Sequence, residues 1–271
     1  MWGGLGSQLF GVSLVHSLKK RFPNRSIITV LHSSGVTRRD PEIIKLFPEL
    51  DFLISDDFIG RAFHDSGSKK FSLKSLVRRI IRRILLLSSL VSQENYDSRS
   101  QIRFWTLEIR GHYLYRQVSA DFLNLLLIRL EAYVNSDFEE FRNSIVLHYR
   151  LGDLLELSNK GFVEPNRISS ILNCMQESAN VSVFSDSPDV AILLLGNKEH
   201  NKNLESVTLP TVETVYAASR GAAFVGTSSK ISYWIVLLRL AISDDSVNYL
   251  PLEDKPVITF LNKSHSGVCF Y

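Results

Sequence analysis

From Ser144 onward, short apolar runs and stretches of helical periodicity take turns along the chain. Ser144–Tyr149 reads as a strand, Asn166–Glu177 as a helix, Val181–Ser185 as a strand and Pro188–Leu195 as a helix. The pattern continues with a strand at Ser206–Leu209, a helix at Val212–Ser219, a strand at Ala222–Val225 and a helix at Ser229–Ala241. Strands that are apolar on both faces need cover on both sides, and intervening helices supply it. This rhythm predicts an α/β fold with a parallel, doubly wound sheet.

The first half is less regular. Gly3–Gly6 reads as a glycine-rich loop, and a helix follows over Gln8–Arg21 with Leu9, Val12, Val15 and Leu18 on one face. Pro23 and Asn24 end it. Further strands are expected at Ser26–Leu31, Asp51–Ile54 and Arg103–Ile109, with helices at Pro41–Phe47 and Ala120–Val134. The long leucine-rich helix gives way to the regular series near Asn135–Arg142. That places one lobe at residues 1–138 and another at 139–271. A phosphate-cradling glycine turn normally follows a strand. Only Met1 and Trp2 precede this one, so either the first strand is very short or a few native residues are missing.

Ser72–Val91 forms a basic amphipathic helix. Phe71, Leu73, Leu76, Val77, Ile80, Ile81, Ile84 and Leu87 make a broad apolar stripe, with Lys74, Arg78, Arg79, Arg82 and Arg83 mainly opposite. It reads either as a surface helix covering the first lobe's core or as an interfacial helix resting on an anionic membrane.

Composition narrows the class. Hydrophobic residues at 45% and charged residues at 22% suit a soluble globular protein of 271 residues. A net charge of +3 is too mild to argue for nucleic acid, and the basic helix lacks interleaved aromatics. Cys174 and Cys269 fit neither a metal site nor a disulfide framework, which points to a reducing compartment. No apolar run reaches the roughly 20 residues of a membrane span, and no signal peptide is visible. A cytoplasmic protein is expected, with peripheral membrane contact through 72–91 as an option.

Four segments carry candidate chemistry. His148-Tyr149-Arg150-Leu151-Gly152-Asp153 follows a strand, where open α/β sheets bind ligands. Arg150 there either forks onto a phosphate or pairs with Asp153 at the surface. Phe184-Ser185-Asp186 also closes a strand, and Asp186 is either a ribose or base ligand or a helix cap before Pro188. Thr227-Ser228-Ser229-Lys230-Ile231-Ser232 spans a strand-to-helix junction, suited to an anion or to an ordinary serine cap. Lys230 favours the anion. Gly3-Gly4-Leu5-Gly6-Ser7-Gln8 allows close backbone approach but has neither the P-loop lysine nor the dinucleotide spacing.

In order along the chain, these segments resemble the bacterial α-1,2-fucosyltransferase family. GGLGSQLF is similar to that family's GGLGNQ(M/L)F opening, LHYRLGD to its HxRRGD motif, FSDS to its FSD, and SSKISYW to its late NS(T/S)FSWW. IRGHYLY, at Ile109–Tyr115, is a weaker echo of its LxGYFQS segment. The resemblance implies a GT-B fold of two Rossmann-like lobes with a cleft between them. It also implies inverting, metal-independent transfer of fucose from GDP-fucose to a glycan acceptor, with no other cofactor. Arg150 would then bind the diphosphate, and Asp186, Ser228, Ser229 and Ser232 would line the donor site. Gly4, Gly6 and Ser7 would border the donor from the glycine loop. Ser7 replaces the family's Asn, Leu151 its second Arg, and His112 and Leu114 its Tyr and Gln. These departures bear on the acceptor and the sugar more than on the fold. Ser7 in particular leaves open a non-catalytic, sugar- or nucleotide-binding relative.

The implied reaction displaces GDP through an oxocarbenium-like transition state, and positive charge must meet the leaving diphosphate. No DxD-like pair follows a strand where it would hold a metal ion, and Asp244-Asp245 lies beyond the last of these helices. Asp153 and His148 are the nearest candidates for a general base. His148 ends an apolar strand and reads more readily as a satisfied core histidine.

Overall fold

The computed structural model describes residues 4–32, 42–55, 80–81, 83–95, 98–99, 102–111, 116–134, 138–152, 162–175, 180–196, 203–243, 245–261 and 267–271. The chain forms two compact units, Met1–Arg116 and Gln117–Tyr271. The leucine-rich helix expected to end the first lobe falls in the second unit.

In the first unit, helix α1 (Leu5–Arg21) starts at Gly4, and its Leu9, Val12, Val15 and Leu18 are buried. The described strands form two separate sheets. Strands β1 (Thr29–His32) and β2 (Phe52–Ser55) pair in parallel, and the short helix α2 (Ile43–Leu46) lies between them in sequence. The second sheet has β3 (Val91–Asn95) at its centre, antiparallel to β4 (Ser98–Arg99) and parallel to β5 (Glu108–Gly111). Two expectations shift here. Val91 belongs to a strand, because the basic helix has ended by Ser88 and Ser89 takes a left-handed conformation with φ 59°. Residues 103–107 form a turn, and the strand starts only at Glu108, where it meets Val91.

The second unit follows the alternation read from the sequence. Its strands are β6 (Ile145–Tyr149), β7 (Val181–Ser185), β8 (Leu204–Val207), β9 (Ala223–Gly226), β10 (Val247–Leu250) and β11 (Val268–Phe270). They form one fully parallel sheet in the order β8-β7-β6-β9-β10-β11. The first three strands run outward from β6 and the next three run outward on its other side. This is the doubly wound, Rossmann-like order, and it reverses between β6 and β9. The central strands are apolar throughout because both faces are covered: Val146, Leu147, Val183 and Val225 have no exposed surface.

Helices α3 (Ala120–Tyr133), α4 (Pro165–Asn173), α5 (Pro188–Gly196), α6 (Thr211–Arg220), α7 (Lys230–Ile242) and α8 (Lys255–Leu261) complete the unit. Helix α7 is buried along Ser232–Arg239, since it packs against both α3 and α6. Trp234 has no exposed surface and meets the edge of Phe122 on α3, with ring centroids 5.9 Å apart. The closing Trp of the SSKISYW segment is therefore a core residue.

Candidate functional site

The strand order reverses between β6 and β9, and sheets of this kind bind ligands in the crevice at the carboxyl ends of the strands there. Backbone and hydroxyl groups stitch the two strand ends together. Thr227, fully buried, donates its N–H and its hydroxyl to the His148 carbonyl, each at 3.1 Å. The Thr227 hydroxyl in turn accepts the Arg150 N–H at 2.9 Å. The position of Arg150 is thus fixed by the neighbouring strand as well as its own.

The third strand end adds Asp186. Its Oδ1 accepts the N–H of Leu151 at 2.8 Å and of Gly152 at 3.0 Å. It holds the turn that follows Arg150, a strut for the neighbouring loop. Glycine at 152 leaves room for it: a Cβ there would meet the Asp186 carboxyl carbon at 2.9 Å.

On the β9 side, Ser229 caps α7. Its hydroxyl accepts the Ser232 N–H at 3.0 Å. Ser229 also donates its hydroxyl to Ser232 Oγ at 3.1 Å, and Ser232 Oγ lies 2.8 Å from His148 Nδ1. Burial pulls His148 down to about 4; the Asp186 charge pushes it back up, and the Arg150 charge lowers it. At neutral pH the ring is uncharged, with Nδ1 hydrogen-bonded to the helix cap.

Lys230 opens the helix. Burial, and then the charge of Arg150, pull its ammonium down to about 8. Lys230 is the first residue of the thirteen-residue α7, so its charge adds to the positive end of the helix, within electrostatic reach of Arg150. Positive charge at a helix N-terminus suits an anion.

A residue with no visible signal in the sequence lies beneath this junction. Asp254, buried in a 3-10 turn at Leu252–Asp254, accepts the Ser228 hydroxyl at 3.0 Å and the Tyr233 hydroxyl at 2.7 Å. Burial pushes its carboxyl above the usual range, and the two hydroxyls partly reverse this. Next to it, Glu253 takes a two-pronged pair from Arg167 at 3.1 and 3.2 Å. Arg167 also donates to the Tyr271 carbonyl at 2.6 Å, and the Tyr271 hydroxyl donates to Gly226 at the end of β9. The exposed Arg167–Glu253 pair adds little stability but orients the turn that carries Asp254.

His148, Arg150, Asp186, Ser228, Ser229 and Ser232 therefore gather at one sheet edge. Asp153 lies outside the described residues. Gly4, Gly6 and Ser7 belong to the first unit: Gly4 caps α1, Gly6 is buried in its first turn, and Ser7 donates its N–H to the Gly4 carbonyl at 2.9 Å. Among the described residues, no three of His, Cys, Asp and Glu come together as a metal site.

The second unit is thus a doubly wound α/β domain with a cationic crevice at its switch point. No protein-family model matches the chain, and no curated protein matches it. Among solved structures it is similar to a glycosyl transferase family 9 protein from Veillonella parvula, at 13% identity and a TM-score of 0.44. The match covers 92% of this chain and 79% of that one. A likeness of that size carries no weight for the chemistry.

Proposed function

We propose that the chain is a glycosyltransferase that holds a nucleotide sugar by its diphosphate in the β6/β9 crevice. One observation carries this reading: Arg150, just after β6, and Lys230, the first residue of α7, lie within electrostatic reach of each other at the order reversal of the sheet. The leaving nucleoside diphosphate gains negative charge as the sugar–oxygen bond breaks. Preorganised cations and a helix dipole stabilise that charge without a divalent ion. Arg150 can bond two phosphate oxygens in parallel, while Lys230 acts as a point charge.

By its motifs, the reading extends to a GT-B enzyme with the acceptor on residues 1–138 and the donor on 139–271. It would transfer fucose from GDP-fucose, with inversion, to a glycan of a surface polysaccharide. The acceptor hydroxyl attacks the anomeric carbon and loses its proton to a base, and the diphosphate leaves with the bonding pair. His148 suits positioning of Ser232 better than this proton transfer, which leaves Asp153 as the candidate base. The reading also puts the enzyme in the cytoplasm, with the basic segment 72–91 against the inner face of the membrane. No described helix is long and apolar enough to cross one.

A donor screen tests the proposal. GDP-fucose should be turned over, by transfer or slow hydrolysis, in preference to other GDP- and UDP-sugars, and EDTA should not abolish it. Binding of a nucleotide sugar with no turnover of any donor would favour the non-catalytic scaffold suggested by Ser7. Full loss in EDTA with rescue by manganese would overturn the metal-free mechanism.

A further inference from the structure

We infer that the end of the basic helix and the turn at 103–107 together form an apolar wedge that enters the interface of an anionic membrane. The inference rests on the peripheral contact proposed above, but not on the chemistry of the crevice. It adds a second chain segment with a different driving force.

Residues 80–81 and 83–87 are helical. Leu85 and Leu86 are half-buried, while Ile80, Ile81, Ile84 and Leu87 face solvent: Ile84 is 58% exposed and Leu87 77%. The adjacent turn presents more, with Phe104 63% and Leu107 81% exposed. Two hydrogen bonds lock the segments together. Trp105 donates its indole N–H to the Ser88 carbonyl at 3.1 Å, and Thr106 donates its hydroxyl to the Ser89 carbonyl at 2.9 Å. The Leu107 N–H is bound to the Leu90 carbonyl at 2.9 Å. The two segments that carry the exposed apolar groups are thus held side by side. Contiguous exposed apolar surface of this kind marks an interaction site.

Charge and residue type identify the occupant. From Ser66 to Gln93 the chain has seven basic side chains and no acidic one. Arg103 places its guanidinium 5.0 Å from the centre of the Trp105 ring. A tryptophan beside cations and exposed aliphatics matches the layering of a bilayer surface, where aromatics sit at headgroup depth and cations meet anionic lipid. A protein partner would need a matching acidic surface around an apolar pocket, whereas an anionic bilayer offers both at once.

The test uses the whole protein and vesicles of phosphatidylcholine and phosphatidylglycerol, with and without brominated acyl chains. Brominated lipid should quench tryptophan emission, and the quenching should vanish in Trp105→Phe, which keeps the surface apolar. Leu107→Asp should weaken vesicle binding by at least about tenfold, and salt of about 0.5 M should weaken the wild type without removing its residual binding. Circular dichroism checks that both variants stay folded. Vesicle binding with unquenched Trp105 and an unaffected Leu107→Asp would overturn the wedge and leave the basic contact standing. No binding even at low salt would overturn both. Capture only by an acidic protein surface, and by no vesicle, would overturn the membrane as occupant.

Discussion

Replacing Gly152 by alanine tests the scaffold behind the cationic crevice. The new Cβ would occupy space held by the Asp186 carboxyl group, whose carbon would lie 2.9 Å away. Real side chains do not pack that closely, so the carboxylate must swing out. Doing so breaks two hydrogen bonds to charged oxygen, from Leu151 at 2.8 Å and Gly152 at 3.0 Å. Bonds to charged groups are worth about 1.5–3 kcal/mol each when buried, but Asp186 is exposed, so about 0.5–1 kcal/mol each applies. The turn should therefore lose about 1–2 kcal/mol. Some of this would appear as lower unfolding stability and the rest as weaker diphosphate binding, because Arg150 starts that turn. Urea unfolding and calorimetric titration with GDP measure the two parts. Asp186→Ala should cost about as much, and the double variant little more than either, since both changes remove the same contacts. If Gly152→Ala matched the wild type in stability and GDP affinity, or if the two losses simply added, the strut would not exist.

Lys230 should give GDP binding a pH dependence that an ordinary lysine would not. Its pKa is depressed to about 8, so the charge is present below pH 8 and is lost as pH rises through that value. GDP affinity should fall across that range in wild type and stay flat in Lys230→Arg; a flat wild-type profile would remove Lys230 from the site. Buried Arg239 donates to the Asn248 side chain at 2.7 Å and to the Gly221 and Ala222 carbonyls. Arg239→Leu strands these acceptors and should cost about 3 kcal/mol in urea unfolding, a value that an unaffected midpoint would contradict.

The second unit was legible because its strands are covered on both faces. Val181–Ser185 and Ser144–Tyr149 are apolar runs of strand length, and the structure keeps them within a residue of where the pattern puts them. Strands β10 and β11 were missed: Val247–Leu250 alternates with an asparagine and a tyrosine, and Val268–Phe270 is only three residues long. The periodicity of the basic helix separated two faces but could not say which one met the protein. At Ile84 and Leu87 the apolar face meets solvent. For the site, the strand ends at Arg150 and Asp186 and the cap at Ser229 could be read directly. The role of Asp186 could not, because its partners Leu151 and Gly152 lie on another strand's loop. Asp254 gave no local signal either, since Ser228 and Tyr233 reach it only after the chain has passed through a further strand and turn.

The central claim is that a nucleoside diphosphate binds in the β6/β9 crevice. Calorimetric titration of GDP into wild-type protein and Arg150→Ala, both in EDTA, tests it most directly. Wild type should bind at a single site, and Arg150→Ala should lose on the order of 3 kcal/mol of that affinity, about a hundredfold, while remaining folded. Equal GDP affinity in the two proteins, or no binding of any nucleoside diphosphate by the wild type, would contradict it.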